Sequence, residues 1–154
     1  MNIHHYTSPV GILEIKTAEM AVREVRLLKS RPEILQTSSD SLVLGTCRQL
    51  HEYFAGKRQL FDLPLMPEGT HFQQTVWKQL QKIPYGKTIS YRQLAEAVDN
   101  PKACRAVGSA NGKNPIAIII PCHRVISADG GLGGYAYGLD IKKHLLELEG
   151  IVKY

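Results

Sequence analysis

A thiol and two basic side chains follow one apolar run. The run is Ile116-Ala117-Ile118-Ile119-Ile120, and Pro121-Cys122-His123-Arg124-Val125 comes directly after it. A cysteine attacks as its thiolate, and an unperturbed thiol of pKa about 8.5 supplies only a few per cent of that form at neutral pH. An imidazole that takes the proton, or a positive environment, raises the fraction. Adjacent residues on an extended chain point to opposite sides. His123 therefore reaches Cys122 only if the backbone turns there or a water relays the proton. A base of this kind also needs an orienting partner, commonly a carboxylate. The downstream candidates are Asp129, Asp140, Glu147 and Glu149. Cys-His-acid describes cysteine proteases, amidases and acyl transferases equally well. Cys47 and Cys104 carry no such neighbours and read as inert, small, buried hydrophobes.

The elements that must position this thiol are legible in outline. The β-branched run 116–120 predicts a buried strand, and Pro121, which cannot donate to a ladder, ends it. Upstream, 2–7, 12–17 and 21–28 read as strands, with Ser8-Pro9-Val10-Gly11 a turn. Residues 39–54 read as a helix capped by Ser39 or Asp40, with Leu42, Cys47, Leu50 and Phe54 on its apolar face. Residues 60–65 suggest a further strand, and 63–69, with two prolines and a glycine, a linker. Thr70-His71-Phe72-Gln73 and Ser90-Tyr91-Arg92-Gln93 are capping boxes that open helices. The first helix carries the stripe Phe72, Val76, Leu80 and Ile83, and Pro84-Tyr85-Gly86 stops it. Asn100-Pro101 predicts a third helix with Asn as cap and Pro at its first position, ended by Asn111-Gly112. A last helix spans 140–149, buries Ile141, Leu145 and Leu148, and stops at Gly150.

Two short helices joined by a tight turn suggest helix-turn-helix. The second carries small side chains, with Arg105 projecting from among them. Such a helix could approach a narrow groove closely, and an Arg could fill a gap in a base stack. A close helix-helix contact with a solvated Arg accounts for the same residues equally well. Lys87, Arg92, Lys102, Arg105 and Lys113 surround this unit. The net charge of +5 matters for nucleic acid only through such clustering. A nucleophile on a DNA-binding unit points to chemistry on a base, which must leave the stack to react.

Composition sets outer bounds. The 154 residues are 44% hydrophobic and 21% charged, an ordinary soluble globular balance. No apolar stretch is long enough to span a bilayer, and no secretory signal is visible. Three cysteines without a CxxC pair point to free thiols in a reducing cytoplasm. Cys47 and His51, four apart on a helix, are two ligands at most, so no metal is expected.

Pro121-Cys122-His123-Arg124-Val125, preceded by Asn114-Pro115, resembles the active-site motif of the O6-alkylguanine-DNA alkyltransferases. The segments 72–77, 84–91, 106–108, 134–135 and 149–150 follow in that family's order, and the resemblance covers about 70–150. It implies an α+β protein in two parts. Residues 1–67 would form an N-terminal ribonuclease-H-like α/β lobe with a small sheet. Residues 68–154 would form a helical, winged-helix-like domain with the helix-turn-helix. It implies direct-reversal DNA repair without a cofactor: one alkyl group moves from guanine O6, or from thymine O4, to Cys122, once per molecule. The implied partner is double-stranded DNA, bound through the minor groove by a cytoplasmic monomer that flips the damaged base.

The resemblance also assigns roles. Cys122 is the acceptor, His123 the base acting through water, Glu149 its orienting acid, and Asn114 the support of the active-site turn. Tyr91 donates a proton to guanine N3. Arg105 replaces the flipped base, Ser90 and Tyr91 lie near its phosphate, and Ala103, Ala106 and Gly108 belong to the DNA-contacting helix. The backbone of Cys122, Val125 and Tyr135 contacts the guanine. Tyr137 stands where other members carry Trp or Gly, and its bulk predicts a pocket that takes methyl well and benzyl poorly. A related class of lesion-recognition proteins that replace the cysteine is the alternative. Regulators with an added zinc domain and an unrelated Cys-His hydrolase fit less well.

Overall fold

The computed structural model describes residues 1–151. The last three residues of the expected C-terminal domain lie outside them. The chain is mixed α+β and divides into two compact units. The first comprises 1–68 with Pro115–Ala117, and the second 69–114 with 118 onward.

In the first unit, β1 (Asn2–Ser8), β2 (Gly11–Ala18) and β3 (Ala21–Leu27) form an antiparallel meander in the order β1-β2-β3. These are the expected strands: alternation buries Leu13, Ile15 and Thr17 on one face of β2, Val25 pairs with Ile15, and a register shift at Lys16/Thr17 sets Val22 opposite Thr17. The helix α1 (Ser41–Phe54) is capped by the Asp40 side chain, which accepts from the backbone N–H of Leu42 and Val43. Its buried residues are Val43, Thr46, Gln49, Leu50 and Tyr53; of the expected stripe Leu50 is buried, while Leu42, Cys47 and Phe54 are half-buried. Packing against the sheet selects the face on which Leu50 and Tyr53, its two largest fully buried side chains, fall three apart. Segment 60–65 forms no strand: only Leu65 makes a single bridge, to Val22. Pro64 offers no donor, and the Gln49 amide holds both backbone groups of Asp62 in place of a ladder.

The second unit holds α2 (His71–Leu80), α3 (Tyr91–Ala97), α4 (Cys104–Gly112) and α5 (Leu139–Leu148). Both expected capping boxes are formed, at Thr70 and Ser90. Trp77, fully buried, donates its indole N–H to the Ala110 carbonyl at 2.9 Å and so joins α2 to α4. Three sequence expectations are corrected here. The helix α4 begins at Cys104, because Asn100-Pro101-Lys102-Ala103 closes a turn through Ala103 N–H to Asn100 C=O. Asn111 and Gly112 lie inside α4, not beyond it. The run 116–120 is buried throughout but is not a strand. Ile116 makes one bridge to Val25 within the first unit, and the chain then turns, with Ile118 at φ +71°. Asn114 Nδ2 spans that turn to the Ile120 carbonyl at 2.8 Å, supplying side-chain hydrogen bonding where a ladder would have done so.

Candidate active site

Pro121, at φ −81° and ψ 64°, closes a tight inverse γ-turn through Cys122 N–H to Ile120 C=O at 2.8 Å. Cys122, His123 and Arg124 then form one 3₁₀ turn, which runs into the short strand β5 (Val125–Ile126). Strand β5 pairs in parallel with β4 (Ile89–Ser90). The backbone therefore turns at the cysteine, yet His123 Nδ1 makes no hydrogen bond within the protein, which leaves the water relay as the route to the thiol.

The acid among the four candidates is Glu149. His123 Nε2 lies 2.6 Å from Glu149 Oε2. Arg124 grips the same carboxylate through Nε to Oε1 at 2.8 Å and Nη2 to Oε2 at 3.2 Å. Gly86 N–H donates to Oε1 at 3.1 Å. Glu149 is placed by the C-terminal cap of α5. Gly150, at φ +86°, and Ile151 return their N–H groups to Glu147 and Leu146 in a Schellman motif. Burial works to raise the Glu149 pKa, but the His123 and Arg124 bonds outweigh it and bring it to about 2. Glu149 is thus an acceptor only, so His123 Nε2 carries the proton and Nδ1 presents a lone pair. Burial lowers the His123 pKa, against the pull of Glu149, so the imidazole is neutral and able to act as a base. Burial also pushes the Cys122 thiol up, while Asn114, Lys142 and Tyr135 oppose that shift. The resting sulfur is a thiol, and a base is required.

Cys122 lines a cavity of about 170 Å³ with Tyr91, Asn114, Tyr135 and Tyr137, all singled out from sequence. Gly108 lines it too, as do Asn111 and Gly134, which were not. The Tyr91 hydroxyl meets Gly134, accepting from its N–H at 3.3 Å and lying 3.4 Å from its carbonyl. Gly133 has φ +72°, and a Cβ there would stand 2.8 Å from the Tyr91 ring, so that position requires glycine. Tyr135 and Tyr137 meet edge to face, with centroids 5.6 Å apart. Val125 is buried outside the cavity lining, and its carbonyl accepts from Lys142 Nζ at 2.6 Å.

The predicted DNA-contacting residues all fall on α3 and α4 or their caps. Ser90 caps α3. Ala103 is the cap residue of α4, Arg105 and Ala106 are exposed on it, and Gly108 faces the Tyr91 ring. Cys104 is exposed, which corrects its reading as a buried hydrophobe: starting three residues later turns it outward. Cys47 is half-buried, and burial raises its thiol to about 11, so it is inert.

Lys142 is missing from the sequence reading. It is fully buried and donates to the carbonyls of Val125 and of Gly134, the latter at 2.9 Å. Burial lowers its pKa to about 8, and the charge on a Cys122 thiolate raises it. A polar residue on the buried face of α5 was the available signal, hidden because long amines usually reach out to solvent. Arg124 is visible within the motif, but its partner lies 25 residues away.

Residues 71–151 match the family described as 6-O-methylguanine DNA methyltransferase, DNA binding domain. The chain is 48% identical over 149 residues to the methylated-DNA–protein-cysteine methyltransferase of Methanosarcina acetivorans, covering 94% of this chain and 96% of that one. It is similar to the crystal structure of Mycobacterium tuberculosis OGT in complex with DNA, with TM-score 0.88, 45% identity, and coverage of 97% and 92%. The crystal structure of Mycobacterium tuberculosis O6-methylguanine methyltransferase gives TM-score 0.86 at 44% identity, covering 96% and 92%.

Proposed function

The chain belongs to the 6-O-methylguanine DNA methyltransferase family, and from that premise we propose that it repairs alkylated DNA by transferring the alkyl group from guanine O6 to Cys122. The observation that carries the assignment is Cys122 in a cavity, beside a neutral imidazole held by a bidentate Arg-carboxylate pair. A relative crystallised in complex with DNA supports DNA as the partner.

The chemistry follows from the site. His123 Nδ1, through a water, takes the thiol proton, and Glu149 stabilises the imidazolium that forms. The sulfur attacks the alkyl carbon in line, so an S–C bond forms as the C–O6 bond breaks. The guanine leaves with the electron pair, and Tyr91 donates a proton to N3 as charge gathers there. The product thioether is stable and the chain regenerates no thiol, so each molecule acts once. Asn114 holds the turn that presents Cys122. The backbone of Cys122, Val125 and Tyr135 contacts the base.

The base reaches the cavity by leaving the duplex. Arg105, exposed on a helix of small residues, takes its place in the stack from the minor groove, with Ala103, Ala106 and Gly108 allowing close approach and Ser90 and Tyr91 near the phosphate. We assign the DNA-binding and transfer role to 68–154 and a supporting role to 1–67. The protein acts as a monomer, and its three free cysteines suit a reducing cytoplasm. Cys122 disfavours the lesion-recognition alternative, which lacks that nucleophile.

The test is incubation with a duplex carrying one O6-methylguanine, followed by intact and peptide mass spectrometry. One methyl on the Cys122 peptide, saturating at one per protein, is expected. Lesion binding without label would reverse the assignment.

A further inference from the structure

Among the described residues, two buried side-chain polar atoms find no hydrogen-bond partner in the protein: Asn111 Oδ1 and His123 Nδ1. Both adjoin the nucleophile. Asn111 is 4% exposed, lies in the last turn of α4 and lines the Cys122 cavity. Its Nδ2 donates to the Cys122 carbonyl at 3.3 Å. That bond fixes the amide, because the flipped orientation would set two acceptors face to face. The oxygen is thereby committed to the other side. His123 follows Cys122 in the same 3₁₀ turn, and its bond to Glu149 leaves Nδ1 as a lone pair. A buried acceptor left unpaired is destabilising. A buried water needs about two to four polar partners, and each of these two atoms offers it an acceptor.

We propose that Asn111 is a positioning residue for the proton relay: its Oδ1 accepts one hydrogen of the water whose other hydrogen faces His123 Nδ1. The water oxygen then accepts the Cys122 S–H. As the sulfur attacks, the thiol proton passes to the water, and the water's own proton passes to Nδ1. Asn111 holds the second hydrogen throughout, which fixes the direction of transfer. The inference rests on the alkyl-transfer reading and adds a residue to it. The other groups bearing on the thiol's ionisation are Asn114, Lys142 from α5 and Tyr135. Glu149, Arg124 and Lys142 bear on His123.

The experiment compares wild type, Asn111→Leu, His123→Gln and the double variant. Cys122 alkylation by iodoacetamide is followed against pH without DNA, and single-turnover methyl transfer is followed on an O6-methylguanine duplex. Asn111→Leu is expected to raise the alkylation midpoint by about one pH unit and to slow transfer about tenfold at neutral pH. In the His123→Gln background the Asn111 substitution should add nothing, because both residues act through one water. A midpoint coincident with wild type, or a full effect persisting in the His123→Gln background, overturns the proposal. Asn111→Ala, which adds no bulk, should reproduce the shift if Asn111→Leu does not fold. A wild-type protein that reacts with iodoacetamide yet takes no methyl from DNA would overturn the repair reading alone, since the pH profiles still decide the role of Asn111.

Discussion

Glu149 and His123 meet at 2.6 Å with both side chains fully buried, although they are 26 residues apart. The same carboxylate accepts from Arg124 and from Gly86 N–H. One residue thus sets the tautomer of the base and locks the turn that carries the nucleophile.

Stability should fall in acid because of Glu149. Its pKa drops from 4.5 to about 2 on folding. A carboxylate held low contributes stability that is fully present above its unfolded value and is lost as pH falls towards its folded value. The loss should therefore run from about pH 4.5 to 2. Glu149→Gln leaves the buried guanidinium of Arg124 without its counter-charge and should cost about 3–5 kcal/mol at neutral pH. Urea titration across pH checks both, and the variant's acid slope should be flatter than that of wild type.

Lys142→Met should slow Cys122 alkylation at neutral pH. The substitution removes the ammonium that favours the thiolate and frees the carbonyls of Val125 and Gly134. Each unmet carbonyl costs about 1–3 kcal/mol. The expected signature is a raised alkylation midpoint together with a lower Tm. An unchanged midpoint would confine Lys142 to a structural role.

Arg105→Ala should weaken transfer from duplex DNA and leave the thiol alone. Arg105 is exposed, so the fold should change by no more than about 0.5 kcal/mol. Iodoacetamide alkylation of Cys122 should match wild type, while methyl transfer from the duplex slows by about tenfold or more, in line with a few kcal/mol of unstacking to be met on flipping. Equal loss in both assays would contradict a DNA-only role.

Tyr137→Gly should open the pocket to larger alkyl groups. Tyr137 lines the cavity and packs edge to face on Tyr135. Labelling by O6-benzylguanine should rise by about tenfold, a change of roughly 1.4 kcal/mol, with methyl transfer altered much less. Wild type that labels equally well with both substrates would show that Tyr137 does not limit the pocket.

What could be read from the chain alone was whatever depends on neighbours a few residues apart. The capping boxes at Thr70 and Ser90 formed as expected, since Ncap and N3 lie within one turn. The β1–β3 meander followed from period-two burial and a short turn. The thiol, its adjacent base and four candidate acids were visible, as was a helix of small residues bearing Arg105. Tertiary structure decided the rest. Spacing left the four acids open and only the family resemblance named Glu149; the α5 cap is what brings it against the 3₁₀ turn. The run 116–120 satisfied every local criterion for a strand, yet one bridge and the Asn114 side chain took its backbone hydrogen bonds. Lys142 and Asn111 look like ordinary surface choices in sequence. They lie at the site because distant backbone carbonyls, at Val125, Gly134 and Cys122, are folded within reach of their donors. Local propensity depends on spacing along the chain. Charge state and the partner of a buried donor depend on what packing brings close in space, and one sequence without that packing does not contain those distances.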